Sequence, residues 1–261
     1  MDCNNYLSKS MNALLEKREA QSARRRLTIL PPDSVDFSSN DFLSLAHSPL
    51  LRSSFLAEVS RASGIPLGSR GSRLLDGNSA YAEDIERDIA AFHNAPAGLL
   101  FNSGYDANTA LFSCIPQPGD VIIYDEYIHA SVHEGMRLSR AALCVSFGHN
   151  SVHGFEKTLA AVIAKDGLVR AGTRNVFVAL ETVYSMDGDV APIRAFLEVV
   201  ERALPHGNGH FIVDEAHSTG VYGLYGRGFL CDLGLEDRIL ARLHTFGKAL
   251  SSGGGIVCVC V

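Results

Sequence analysis

From residue 98 onward the chain alternates short apolar runs with amphipathic stretches. The apolar runs fall at 98–101, 121–124, 142–147, 176–181, 210–214 and 239–243, and the spacing between them predicts helices near 105–115, 127–140, 154–165 and 191–204. Apolar runs without polar alternation suit strands covered on both sides. Their regular exchange with helices predicts an α/β fold, a mostly parallel central sheet with helices on both faces. Upstream, residues 12–26 are rich in helix formers and stop before Pro31-Pro32, which predicts a charged N-terminal helix. Residues 35–43 alternate briefly and break at Ser39-Asn40-Asp41, a strand running into a turn, and 50–62 reads as helix. A loop of glycines, hydroxyls and arginines fills 64–78, and loops of that kind often bind. Ser79 then caps a helix with Glu83 and Asp84 in its first turn and Ile85, Ile89 and Phe92 on one stripe. The last run, 256–261, reads as an edge strand with exposed ladder groups. The organisation expected is an arm over 1–45 and a main domain over 46–261.

Bulk properties narrow the classes. The 261 residues are 46% hydrophobic, enough for a sizeable core, and a net charge of −6 argues against a nucleic-acid partner. Six cysteines, at 3, 114, 144, 231, 258 and 260, form no C-x-x-C pair, so free thiols in a reducing compartment are expected. The polar first ten residues lack a signal-peptide core, and no apolar stretch approaches the roughly 20 residues of a membrane span. The expectation is a soluble cytoplasmic protein with no membrane partner.

Candidate chemistry gathers where strands end, the usual place for sites in open α/β sheets. Lys248 lies between the apolar run 239–243 and the Ser/Gly segment 251–255, a setting for an amine that forms a Schiff base with pyridoxal 5'-phosphate (PLP). Asp214, delivered by the run 210–214, is the acid that would keep the ring nitrogen of PLP protonated, and His217 follows it by three residues. Asn102-Ser103-Gly104-Tyr105 turns into a helix, offering N–H groups to a phosphate. His129 and His133 have the i, i+4 spacing of a zinc pair, but no H-E-x-x-H and no third ligand accompany them, so no metal is expected. Glu181-Thr182 and the Asp187-Gly188 turn mark a further site edge. Val213-Asp214-Glu215-Ala216-His217 has the letters of a Walker B strand, yet no G-x-x-x-x-G-K-[ST] loop precedes it.

Six motifs carry a resemblance: Ser38-Ser39-Asn40-Asp41-Phe42-Leu43, Asn102 to Asn108, His129-Ala130-Ser131, Tyr184 to Asp189, Asp214 to Gly220, and Thr245-Phe246-Gly247-Lys248. In this order they resemble the α-oxoamine synthases, PLP enzymes of the aspartate-aminotransferase fold, and most nearly the biotin-pathway branch. The resemblance runs from about Asn12 to the end. It implies a PLP-dependent transferase large domain over 46–261, with Lys248 holding the cofactor as a Schiff base and moving the substrate's Cα proton. It further implies Asp214 on the ring nitrogen, His217 on the phenolic oxygen, His129 on the ring face, Ser185 and Thr245 along the cofactor, and Gly104 and Tyr105 at its phosphate. Arg24 and Asn40 would contact substrate. The implied reaction condenses an amino acid, L-alanine first, with an acyl-CoA of the pimeloyl-CoA kind and releases CO2. Relatives use glycine or serine instead. Members work as homodimers and continue into a C-terminal domain, so this chain is expected to be the N-terminal and cofactor-binding part. The alternative reading is an inactive fragment that keeps the fold.

Overall fold

The computed structural model describes residues 5–62, 64–66 and 68–260. Cys3, Leu67 of the expected binding loop and Val261 of the expected last strand lie outside the described residues. The chain divides into two units, Met1–Ser38 and Ser39–Val261. In the first, helix α1 (Tyr6–Ala20) starts and ends about six residues before the predicted 12–26. Asn5 caps it by accepting from the Ser8 N–H, and Ser22, at φ 52°, takes the left-handed turn that stops it. Arg24 and Arg26 then turn back to pair with Glu19.

The second unit runs α2 (Pro49–Arg61), α3 (Ala80–Phe92), β1 (Ala97–Phe101), α4 (Gly104–Cys114), β2 (Val121–Asp125), α5 (Ala130–Arg137), β3 (Leu143–Phe147) and α6 (Val152–Lys165). It continues through α7 (Gly167–Arg170), β4 (Val176–Glu181), α8 (Ile193–Ala203), β5 (Gly209–Asp214), α9 (Phe229–Leu233), β6 (Ala241–Thr245) and β7 (Gly255–Val259). Pairing gives one sheet of order β1-β7-β6-β5-β4-β2-β3, parallel from β3 through to β6, with β7 antiparallel to both neighbours.

Strand side chains alternate between faces, and here each face has its own core. Val121, Ile123, Val176, Val178 and Leu180 join Phe155 and Leu159 of α6 and Phe196 and Val200 of α8. Ile122, Phe177, Ala179, Ile212 and Leu243 point the other way, onto Ala107, Leu111 and Phe112 of α4 and Val132 of α5. This is why the runs over β2 and β4 carry no polar alternation.

Four expectations need correction. Residues 35–43 form no strand. Asp36 Oδ1 accepts from the Ser38 N–H, Ser39 Oγ from Asp41, and Asp41 itself accepts from Leu45 and Ala46, so local side-chain bonds replace a ladder. The run 256–261 is not an edge, because β7 lies between β1 and β6. The strand expected at 239–243 begins at Ala241 and extends through Thr245. On α3 the buried residues are Glu86 and Ala90, while Phe92 is exposed. Glu86 turns inward because it pairs with Arg73 and accepts from the Leu100 N–H at 2.7 Å.

A polar seam runs beneath β6. His244 stacks on His93 with centroids 3.7 Å apart, and the fully buried Arg242 donates to the His93 carbonyl at 2.8 Å. Glu215 Oε1 accepts from Leu230 N–H and the Ser218 hydroxyl, and burial pushes its pKa up to about 7. Gly228 closes over this carboxyl at φ 106°, where a Cβ would stand 2.5 Å from Oε2. Gly228→Ala is therefore expected to cost more than about 1 kcal/mol, through strain and collision together. A thermal midpoint lowered by several degrees is the result to look for.

Candidate active site

The parallel register brings the carboxyl ends of β4, β5 and β6 to one side, where Glu181 and Asp214 end their strands as Cα partners. Three residues beyond β6 comes Lys248. With Asn108 and Gly104 of α4, His129, Ser131 and Thr245 they line a cavity of about 210 Å³. Lys248 and Asp214 thus share one side of the sheet, with a gap between them.

Lys248 is half-buried, and its Nζ lies 2.7 Å from His217 Nε2. Burial pushes the amine's pKa down, against the pull of the Asp214 and Glu181 charges. His217 is itself lowered to about 4, chiefly by burial and then by Lys248 and His129, so its Nε2 accepts from the lysine. The result is an amine that gives up its proton easily, the state in which nitrogen attacks a carbonyl.

Asp214 is buried and held at both oxygens. Ala216 N–H donates to Oδ1 at 2.8 Å and the Asn108 amide to Oδ2 at 2.7 Å. The same amide donates to Ser131 Oγ at 3.0 Å, and Ser131 Oγ lies 2.7 Å from His129 Nδ1. Since the Ser131 backbone N–H also points at Nδ1, that nitrogen is an acceptor and the ring's proton sits on Nε2. Burial lowers the pKa of His129, which keeps the ring neutral. Asp214, Asn108, Ser131 and His129 form one connected chain. Asn108 and Ser131 stood in the sequence motifs with no role attached; their signal was only that each follows a strand end.

At the other rim, Ser103 caps α4 by accepting from Asp106, and the N–H groups of the first turn face outward from the helix end. Gly104 sits at a close approach, since a Cβ there would stand 3.0 Å from Thr245 Cβ. Tyr105 lines the cavity edge-on to His129, with centroids 6.1 Å apart.

Two of the expected residues, Ser185 and Asn40, do not line the cavity. Ser185 sits exposed on the turn after β4 and does not line the cavity. Asn40 is exposed, although its neighbour Phe42 faces the His217 ring at 6.2 Å. Arg24 belongs to the first unit and pairs with Glu19. His133 packs edge-on against Tyr124 rather than beside His129, and among the described residues no cluster of metal ligands occurs.

The turn carrying Ser185 is tied down by a clasp that the sequence did not signal. His149 Nδ1 lies 2.8 Å from Asp125 Oδ1 and its Nε2 lies 2.8 Å from Asp189 Oδ2. Burial opposes charge on this ring, but bonds to both carboxylates outweigh it and hold the pKa above the usual imidazole value. A raised folded-state pKa gives stability that is complete below the unfolded value, about 6.5, and fades as pH rises through the folded one. His149→Gln should therefore cost about 1–2 kcal/mol in mildly acidic buffer and less in alkaline buffer, read as denaturation midpoints across pH.

The chain matches the family Aminotransferase class I and II over residues 32–261. It is 61% identical over 255 residues to 8-amino-7-oxononanoate synthase of Emericella nidulans, covering 97% of this chain and 62% of that protein. It is 43% identical over 247 residues to the aminoacyl transferase sphA of Byssochlamys spectabilis, covering 94% and 53%. Among solved structures, serine palmitoyltransferase from S. paucimobilis with bound PLP-myriocin aldimine matches with a TM-score of 0.79 at 27% identity, over 99% of this chain and 67% of that one. The chain spans between 53% and 62% of the length of these two curated relatives.

Proposed function

The chain belongs to the aminotransferase class I and II family, and on that footing we propose that it is the cofactor-binding part of a PLP-dependent α-oxoamine synthase, with residues 46–261 as the PLP-binding large domain. The observation that carries this reading is the convergence, on one cavity, of an amine with suppressed charge, a carboxylate held by two N–H donors and a neutral imidazole. Those residues fit PLP. Lys248 Nζ would bond the aldehyde carbon, Asp214 would hold the proton of the ring nitrogen, and His129 would lie against the ring. The open first turn of α4 at Gly104 and Tyr105 would take the phosphate. When bound, PLP supplies an electron sink that stabilises negative charge at an amino acid's Cα.

Each remaining task falls to this chain's own groups. His217 accepts from Lys248 Nζ and so holds the amine in place. Lys248 would serve as the base that takes the substrate's Cα proton. The Asn108–Ser131 link fixes the His129 tautomer, with its proton on Nε2. The reaction is condensation of an amino acid, L-alanine in the reading from 8-amino-7-oxononanoate synthase, with an acyl-CoA of the pimeloyl-CoA kind, releasing CoA and CO2. A homodimer belongs to the same proposal, as does a cytoplasmic location; among the described residues no helix is long and apolar enough to cross a membrane.

Titration with PLP is expected to give a new absorption band at one cofactor per chain, and alanine with the acyl-CoA is expected to release CoA thiol. Failure to take up PLP would overturn the proposal. Uptake without thiol release would restrict this chain to cofactor binding.

A further inference from the structure

Two acids stand side by side on the floor of the cavity, and their surroundings differ. Glu181 and Asp214 are Cα partners in the parallel register and line the same space. Asp214 receives N–H donors at both oxygens. Glu181 is 2% exposed and leaves Oε1 without a partner. A carboxylate oxygen buried with no donor is strongly disfavoured, whereas a carboxylic acid is neutral there.

We propose that Glu181 stands in this site as an uncharged, proton-bearing acid, so that the floor offers a PLP ring nitrogen the single negative charge of Asp214. The purpose of that arrangement rests on the PLP reading above; the protonation itself does not. The groups facing Glu181 are Asp214 from β5, Asp125 from β2, Lys248 from the segment after β6, and His129 and Tyr184 at its flanks. Burial acts first and the Asp214 charge second, both favouring the proton, and Lys248 opposes them; the pKa is pushed up to about 8. The coupling runs back to Lys248, since charge on Glu181 would pull the amine towards its protonated form. A neutral Glu181 therefore keeps Lys248 ready to react. Glu181 is a positioning residue: it acts through Asp214 and Lys248.

The test begins on the cofactor-free protein. Infrared difference spectra between wild type and Glu181→Gln at neutral pH should show the carbonyl stretch of a protonated carboxyl, and that band should vanish as pH rises through about 8. With PLP added, the pH dependence of the cofactor's absorption should superimpose for the two proteins below that pH and separate above it. No protonated-carboxyl band at neutral pH, or spectra that already diverge there, overturns the proposal. Should the variant not fold, carbon NMR of carboxyl-labelled glutamate in the wild type reads the same property. A carboxyl resonance assigned to Glu181 that titrates above the usual range supports it, and one that titrates within that range overturns it. Absence of a PLP band in both proteins sinks the PLP reading and leaves the infrared result to stand by itself.

Discussion

Replacing Lys248 by alanine is expected to leave the protein folded and unable to fix PLP covalently. Borohydride treatment should add the cofactor's mass to wild type and nothing to the variant. The side chain is half-buried at the mouth of the cavity, so its removal takes away one polar contact, the 2.7 Å bond to His217, and little packing. Non-covalent uptake should survive, because Asp214, His129 and the α4 N-terminus stay in place. Condensation should fall by about 10³–10⁶-fold, the scale on which enzymes lose turnover when the covalent residue is removed. Lys248→Arg makes the sharper comparison. A guanidinium keeps the positive charge but stays protonated and cannot form the imine, so it should fail as alanine does. Retention of a borohydride-stable adduct in either variant would show that another amine holds the cofactor.

Asp214→Asn is expected to weaken PLP binding by roughly 10²–10⁴-fold, the 3–5 kcal/mol cost of stripping one partner from a buried charge pair. Two effects combine. The carboxylate faces donors on both sides, the Ala216 N–H and the Asn108 amide, so an amide placed there sets NH2 against a donor whichever way it turns. The ring nitrogen also loses the anion that keeps its proton. The first effect acts without cofactor and should cost about 1–3 kcal/mol of stability, which denaturation of the cofactor-free variant measures. The second appears only in PLP titration. A variant whose PLP affinity stayed at the wild-type value would remove Asp214 from the site.

Much of the architecture was legible because its causes are local. β4 reads as a strand buried on both sides since all six of its residues are apolar but the last, and all six are buried. Ser79, Ser103 and Ser151 begin helices by accepting from backbone N–H groups three residues on, a signal contained within four letters. The errors have local causes too. Residues 35–43 carry strand-like alternation, yet Asp36, Ser39 and Asp41 spend their oxygens on nearby N–H groups. The place of β7 between β1 and β6 could not be read, because it depends on pairing Ile256 with Leu100, far upstream.

The sequence by itself determined which chemistries are present and at which strand ends: an amine after β6, carboxylates closing β4 and β5, an imidazole after β2. Only the tertiary structure decided what state each group is in. Glu181 and Asp214 both end apolar runs and look alike as letters. One meets two N–H donors and the other leaves an oxygen bare, because of what α4 and the turn after β5 place above them. The stacking of His93 on His244 and the burial of Arg242 likewise join residues about 150 positions apart. Protonation is set by solvation and neighbouring charge. Both are properties of packed space, and no stretch of chain carries them alone.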